Sequence, residues 1–324
     1  MVENKSLTDS RSGHTGSRVR PSTLQVDPGA STLRTAVALS MHSASFEASL
    51  ERVRTGKSTV ELVHPPTAAG WSLPLSPSSL RIAVLDSSFN PPTLAHLALA
   101  SAPPPDASGT YDARLLLLSV RNADKQLKPG DATYVQRMAM MALVAEQIEN
   151  THPSANVAVA IIDEPTFVGK SRILLAFLRQ LMGSGQPSEA GSLPKVQLSF
   201  LQGFDTLERL LEPRYYGSSD RMHEALLAFF SPDGDNSRVV CARRRNQGRG
   251  FDAELEHERN VLESAADFIR SQNIVIMDLD HDLQSLSSTD ARTKIRNGDS
   301  DWESIVPPCI AKYIVEQKLY SESE

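Results

Sequence analysis

The sequence predicts an α/β protein built on a doubly wound parallel sheet, with a helical extension at its N-terminal side. Three observations lead there. Short, continuously apolar runs recur from Arg81 onward, stretches of helical periodicity separate them, and strand-breaking or chemistry-bearing residues follow several run ends. Runs apolar at every position suit strands covered by helices on both faces, and repeated strand-then-helix order implies parallel pairing.

The elements follow in order. Residues 1–30 are polar and rich in Gly, Pro and Ser, which predicts a disordered tail. Residues 31–80 form the extension. Leu33, Ala36, Val37, Leu39, Ser40, Phe46 and Leu50 recur about once per helical turn, and residues 64–80 carry His64-Pro65-Pro66, Pro74, Pro77 and serines of a linker. Residues 81–324 form the main domain. Its strands are expected at Ile82–Leu85, Leu115–Val120, Val157–Ile162, Val196–Leu201, Arg238–Ala242 and Ile274–Met277. Helices are expected over 133–148 and about 169–182. Two stretches, around 183–195 and 231–258, read as surface insertions.

Composition narrows the function. The 324 residues carry 33 basic and 39 acidic side chains, a net charge of −6. That balance argues against a general nucleic-acid binder, which needs a basic surface. It leaves room for a small phosphorylated ligand held by a local basic pocket. Two cysteines, Cys241 and Cys309, make neither a disulfide framework nor a zinc site, which fits a reducing, intracellular location, cytoplasmic or nuclear. No run is long enough to span a membrane, since the most apolar one, Leu115 to Val120, ends at Arg121. Arg11, Arg18 and Arg20 among serines and threonines leave a mitochondrial address open, against which Glu3 and Asp9 count.

In such a sheet, ligands bind outside the carboxyl ends of the strands, so residues that follow strands carry the information. Asp86-Ser87-Ser88-Phe89-Asn90-Pro91-Pro92-Thr93-Leu94-Ala95-His96 stops one strand and starts a helix. Thr93 and His96 then share a helical face where N–H groups and the helix dipole favour an anion. A proline-capped helix with a surface histidine fits the same residues. Ser285-Leu286-Ser287-Ser288-Thr289-Asp290-Ala291-Arg292 begins a second such helix. Its hydroxyls and guanidinium can face a polyphosphate, or cap the helix and meet solvent. Gly203 and Asp205 follow the fourth expected strand, where glycine allows close backbone approach and aspartate suits ribose hydroxyls or an N-cap.

Taken together, these segments carry a resemblance. Ser88-Phe89-Asn90-Pro91-Pro92-Thr93-Leu94-Ala95-His96 resembles the SFNPx[T/H]xxH signature of the nucleotidyltransferase superfamily that includes the synthetase HIGH motif. Ser287-Ser288-Thr289-Asp290-Ala291-Arg292 resembles its distal SSTxxR. Among the branches, the chain is most similar to nicotinamide mononucleotide adenylyltransferases, especially a divergent fungal group. Arg137 with Met140, Gly203-x-Asp205 and the tail Ile305-Val306-Pro307, Tyr313-Ile314 and Leu319-Tyr320 extend the likeness over about residues 81 to 320. Ser87 departs from the pattern, standing where glycine is usual, and would be strained if the position needs positive φ.

The resemblance implies a Rossmann-like nucleotidyltransferase fold and adenylyl transfer from ATP, with Mg²⁺, to a small phosphorylated acceptor, nicotinamide mononucleotide first. Nicotinate mononucleotide, phosphopantetheine, a CTP donor or an inactive nucleotide-binding homologue are the alternatives. His96 and Arg292 are the implied catalytic residues. Ser87, Ser88, Phe89, Thr93, His96, Ser287, Ser288, Thr289 and Arg292 would hold ATP. Lys125, or Lys128, with Gly203, Asp205 and Arg243 would hold the acceptor, and Phe167 is the nearest candidate aromatic for its ring. No metal ligand is assigned to protein side chains. Gly169-Lys170-Ser171 lacks the upstream glycine of a P-loop, because Glu164 stands there. Asp278, Asp280, His281 and Asp282 read as a solvated loop.

Overall fold

The computed structural model describes residues 43–65, 70–74, 79–106, 109–121, 127–183, 194–243 and 251–321. The chain divides into two units, Met1–Leu39 and Ser40–Glu324. The first unit, with the expected polar tail, lies outside the described residues, as do the first half of the helix expected from Leu33 onward, most of the 183–195 stretch and Lys125.

Seven strands form one sheet: β1 (Val60–His64), β2 (Ser79–Asp86), β3 (Ala113–Ser119), β4 (Val157–Ile162), β5 (Lys195–Gly203), β6 (Arg238–Ala242) and β7 (Ile274–Met277). Their order is β1-β4-β3-β2-β5-β6-β7. From β2 the chain winds outward through β3 and β4, then returns to the other side of β2 with β5 and continues to β6 and β7. The carboxyl ends of β2 and β5 therefore diverge at a topological switch point, which leaves a crevice there. Every pairing among β2 to β7 is parallel.

The exception is β1, which runs antiparallel to β4, with Val60 opposite Ile162 and a shift in register after Leu62. The sequence reading gave residues 31–80 to a helix and linker and expected only parallel strands, so β1 is a correction. A five-residue edge strand needs pairing on one side only, and Val-Glu-Leu-Val-His gives little periodicity to read. Its presence explains why β4, with strands on both sides, is buried at all six positions. A helix over residues 43–54 (α1) leads into it, burying Phe46, Leu50 and Val53. Arg52 of α1 grips Glu61 of β1 with both its Nε, at 2.9 Å, and its Nη2, at 2.7 Å.

Helices fill the intervals: α2 (Leu94–Ser101), α3 (Tyr134–Thr151), α4 (Phe167–Gly183), α5 (Phe204–Leu210), α6 (Ser219–Phe230), α7 (Phe251–Ser264), α8 (Ala266–Arg270), α9 (His281–Gln284), α10 (Ser288–Arg296) and α11 (Pro308–Glu316). Of the 231–258 stretch, the described residues form a turn, β6 and the start of α7, while 244–250 lie outside them. On one sheet face Ile82, Val84, Leu115, Leu117 and Phe200 share a core with Leu174 and Leu178 of α4, Leu226 and Phe229 of α6, and Phe268 of α8. Each such side chain contributes about 1.5–3 kcal/mol on burial. The sheet's other face takes α2 and α3, with α11 packed on α3.

Cys241 is buried in the first of these cores. Burial pushes its thiol up to about 12, so it packs as a neutral group. No helix among the described residues is long and apolar enough to cross a membrane.

Candidate active site

The crevice at the switch point opens into a cleft of about 890 Å³. One end is built for an anion. β2 stops at Asp86, and the loop to α2 passes through Phe89, whose φ of 45° lies in the left-handed region. Ser87 is not among the positive-φ residues, so serine in place of the usual glycine carries no backbone strain; Phe89 carries the turn instead. Phe89 is fully buried and its ring lies 5.5 Å from that of His96, behind the cleft rather than in it. Its side chain backs the imidazole, so any part Phe89 plays in holding ATP falls to its backbone.

His96 has its tautomer set by the helix it begins. Thr93 is the N-cap of α2, and its backbone N–H donates to His96 Nδ1 at 3.1 Å, with Thr93 Oγ1 2.8 Å from the same nitrogen. A ring nitrogen that accepts a backbone N–H carries no proton, so the proton resides on Nε2. That Nε2 meets Ser87 Oγ at 2.9 Å and borders the cleft. The imidazole is thus a neutral, oriented donor.

The second helix start arrives from about two hundred residues later. Ser287 caps α10 by accepting Asp290 N–H at 2.9 Å. Ser288 Oγ donates to Pro91 O at 2.7 Å, and Arg292 Nη1 donates to Asn90 O at 2.5 Å and Ser288 O at 3.2 Å. Arg292 Nη2 reaches Thr289 Oγ1 at 3.4 Å. These bonds join the two distant segments directly. Ser87, Ser88, Thr93, His96, Ser287, Ser288, Thr289 and Arg292 all line the one cleft.

Behind them lies a buried polar frame that joins Arg137, Asn90 and Tyr320, all noted in the sequence, through Asp131, which was not. Asp131 sits at ion-pair distance, 3.6 Å, from both Arg137 Nη2 and Arg292 Nε. Burial alone would raise its carboxyl; bonds from Lys128 N–H and Asn90 and the charges of Arg292 and Arg137 outweigh that and hold it below the usual range. Arg137 also donates to Ala132 O and Ser88 O, and Asn90 Oδ1 accepts from Ala132 N–H at 3.2 Å and Tyr320 OH at 2.9 Å. Tyr320 is buried with φ at 64°. The tail residue Ile305 accepts Leu94 N–H at the start of α2. We expect Tyr320→Phe to cost about 1–2 kcal/mol, because Asn90 loses one of two bonds while shape is kept. Urea denaturation checks this.

The cleft also takes in most of the expected acceptor residues, in mixed condition. Gly203 is the N-cap of α5, and a Cβ there would meet no protein atom within 4 Å, so backbone approach is open. Asp205 lies in the first turn of α5 and borders the cleft, although it does not cap the helix. Arg243 also borders it but is paired with Glu258 at 2.9 Å and Asp278 at 3.4 Å, which competes with a phosphate role. Lys128 borders the cleft from the loop before α3. Phe167 begins α4, lines the cleft, and packs edge-on to Phe200. His281 and Asp282 are exposed on α9, and among the described residues no group of three or more His, Cys, Asp or Glu is placed to hold a metal.

The set-aside Gly169-Lys170-Ser171 lies inside α4 and carries a different meaning. Lys170 is buried and pairs with Asp86 at 2.5 Å, on the cleft floor. Ser171 bonds Ser237 at 2.9 Å. A Cβ at Gly169 would meet the Glu164 carboxyl at 2.3 Å, so a larger residue there would displace that side chain from its bonds to Thr166.

No protein-family model matches the chain. Over 238 residues it is 32% identical to a Schizosaccharomyces pombe protein that bears the provisional name nicotinamide mononucleotide adenylyltransferase; the match covers 72% of this chain and 83% of that protein. Among solved structures it is similar to a Plasmodium falciparum nicotinic acid mononucleotide adenylyltransferase complexed with APC, at 12% identity and a TM-score of 0.43. The same protein complexed with NaAD matches at 13% identity and a TM-score of 0.45. Each covers 74% of this chain and 97% of the other.

Proposed function

Because the chain belongs to the nicotinamide mononucleotide adenylyltransferase family, we propose that its cleft joins ATP to nicotinamide mononucleotide, giving NAD and pyrophosphate. The enzyme class is that of the family: an adenylyltransferase of NAD biosynthesis. The observation that supports this use of the cleft is the direct bonding of Ser288 and Arg292 to Pro91 and Asn90, which gathers two helix starts around one space.

In the reaction, an oxygen of the acceptor's phosphate attacks the α-phosphorus of ATP. One P–O bond forms, the bond from the α-phosphorus to the bridging oxygen of pyrophosphate breaks, and no proton has to move. Catalysis is therefore positioning plus stabilisation of charge. His96 Nε2–H donates to the α-phosphate oxygens. Ser287, Ser288, Thr289 and Arg292 hold the β- and γ-phosphates, and Lys128 serves the acceptor phosphate. Lys125 keeps its candidacy from sequence, outside the described residues. An imidazole N–H and a guanidinium suit phosphate oxygens, and the Ser and Thr hydroxyls suit either a phosphate oxygen or a hard cation. Mg²⁺ bound together with ATP would neutralise charge on the departing pyrophosphate, next to the phosphates that Ser287, Ser288, Thr289 and Arg292 would hold.

Purified full-length protein with ATP, Mg²⁺ and nicotinamide mononucleotide is expected to yield NAD and pyrophosphate in equal amounts. Absence of both, or release of ADP and phosphate, would overturn the reading. Arg292→Lys is expected to raise the KM for ATP about tenfold, since a lysine cannot span Asn90 O, Ser288 O and a phosphate together. Steady-state kinetics with varied ATP measures it.

A further inference from the structure

One polar side chain on the cleft floor takes no part in the anion end. Gln202, the penultimate residue of β5, is 2% exposed and lines the cleft. Yet neither its Oε1 nor its Nε2 has a hydrogen-bond partner among the described residues. Leaving a buried polar group unpaired costs about 1–3 kcal/mol, and buried polar groups are almost always satisfied. A doubly unpaired amide at the floor of a ligand cleft is therefore a group held for a ligand.

Its surroundings narrow the chemistry. One step past the Leu85–Leu201 pair, the parallel register sets Asp86 beside Gln202 on the sheet face that α4 covers. The Asp86 charge is already met by Lys170. Phe167, Leu210, Tyr215 and Tyr216 line the cleft from the start of α4 and from α5 and the turn after it. His96, Ser87 and the α10 hydroxyls, by contrast, belong to α2, its leading loop and α10. Gln202 thus offers a neutral donor and acceptor, side by side, in a cleft partly walled by rings.

We propose that Gln202 is a specificity-determining residue that reads the carboxamide of the acceptor's pyridine ring through paired amide–amide hydrogen bonds, and so selects an amide acceptor over the corresponding acid. A primary amide returns a donor to Oε1 and an acceptor to Nε2. A carboxylate has no N–H to give and sets an anionic oxygen against Oε1. Sites built to bond a ligand's donor discriminate strongly against an analogue without it. The inference rests on the reading that the acceptor is a pyridine mononucleotide.

The test compares kcat/KM for nicotinamide mononucleotide and for nicotinate mononucleotide, with ATP saturating, in the wild type, Gln202→Met and Gln202→Leu. Both replacements keep the volume while removing the amide, and thermal melting confirms that each is folded. The wild type is expected to favour the amide acceptor. Either variant is expected to lose about 10- to 100-fold on that acceptor and less on the acid, leaving the KM for ATP unchanged. An amide-to-acid ratio unmoved by both substitutions overturns the proposal. So does a change confined to the KM for ATP, which would assign the amide to the adenine ring. A wild type that turns over both acceptors without preference sinks this inference alone. A wild type that turns over neither sinks the proposed function, and the inference with it.

Discussion

Replacing His96 with alanine is expected to lower kcat about 10²–10³-fold, the loss seen when one preorganised donor to developing charge is removed, with little change in the KM for ATP. The expectation comes from the tautomer. Thr93 N–H occupies Nδ1, so the proton sits on Nε2, which borders the cleft and rests against Ser87 Oγ until a phosphate oxygen takes that bond. The substitution also removes the reciprocal half of the α2 capping box, a cost of about 0.5–2 kcal/mol. Thermal melting separates that cost from the chemical effect. His96→Asn, which retains a neutral donor, is expected to recover part of kcat. A folded His96→Ala enzyme with kcat within threefold of wild type contradicts the role.

The second large effect concerns stability. Lys170→Met is expected to destabilise the protein by about 3–5 kcal/mol, because it leaves the largely covered Asp86 carboxylate, 9% exposed at its side chain, unpaired at the cleft floor. Lys170 Nζ also lies 5.0 Å from the Phe167 ring centroid, so its removal loosens the wall of the cleft as well. The double replacement Asp86→Leu with Lys170→Met is expected to restore most of the loss, as apolar isosteres of buried pairs often do. Urea unfolding of the four members of the cycle measures both. A loss below about 1 kcal/mol in the single variant, the worth of an exposed pair, contradicts the assignment.

Much of this architecture was legible in the sequence, for physical reasons. The six parallel strands announce themselves because burial on both faces forces apolar residues at every position, as at Val157–Ile162. The two helix starts are legible because capping and anion chemistry require particular side chains at fixed spacing. What escaped is what local pattern does not encode. β1 depends on an available edge rather than on its own periodicity. Lys170 looks like any helical lysine until the fold sets Asp86 against it. Asp131 and Gln202 acquire meaning only through partners, or the lack of them, tens or hundreds of residues away. Ser87 misled in the other direction, because the strained turn sits two residues later, at Phe89.

The claim on which the account turns is that His96 and Arg292, drawn together by a fold that brings residues 90 and 292 into contact, grip one nucleotide. A crystal structure of the full-length protein with a non-hydrolysable ATP analogue tests it most directly. The account predicts a single analogue with its α-phosphate in hydrogen-bond reach of His96 Nε2 and its β- and γ-phosphates against Ser288, Thr289 and Arg292. An analogue that touches one of the two segments but not the other, or that binds elsewhere, contradicts it.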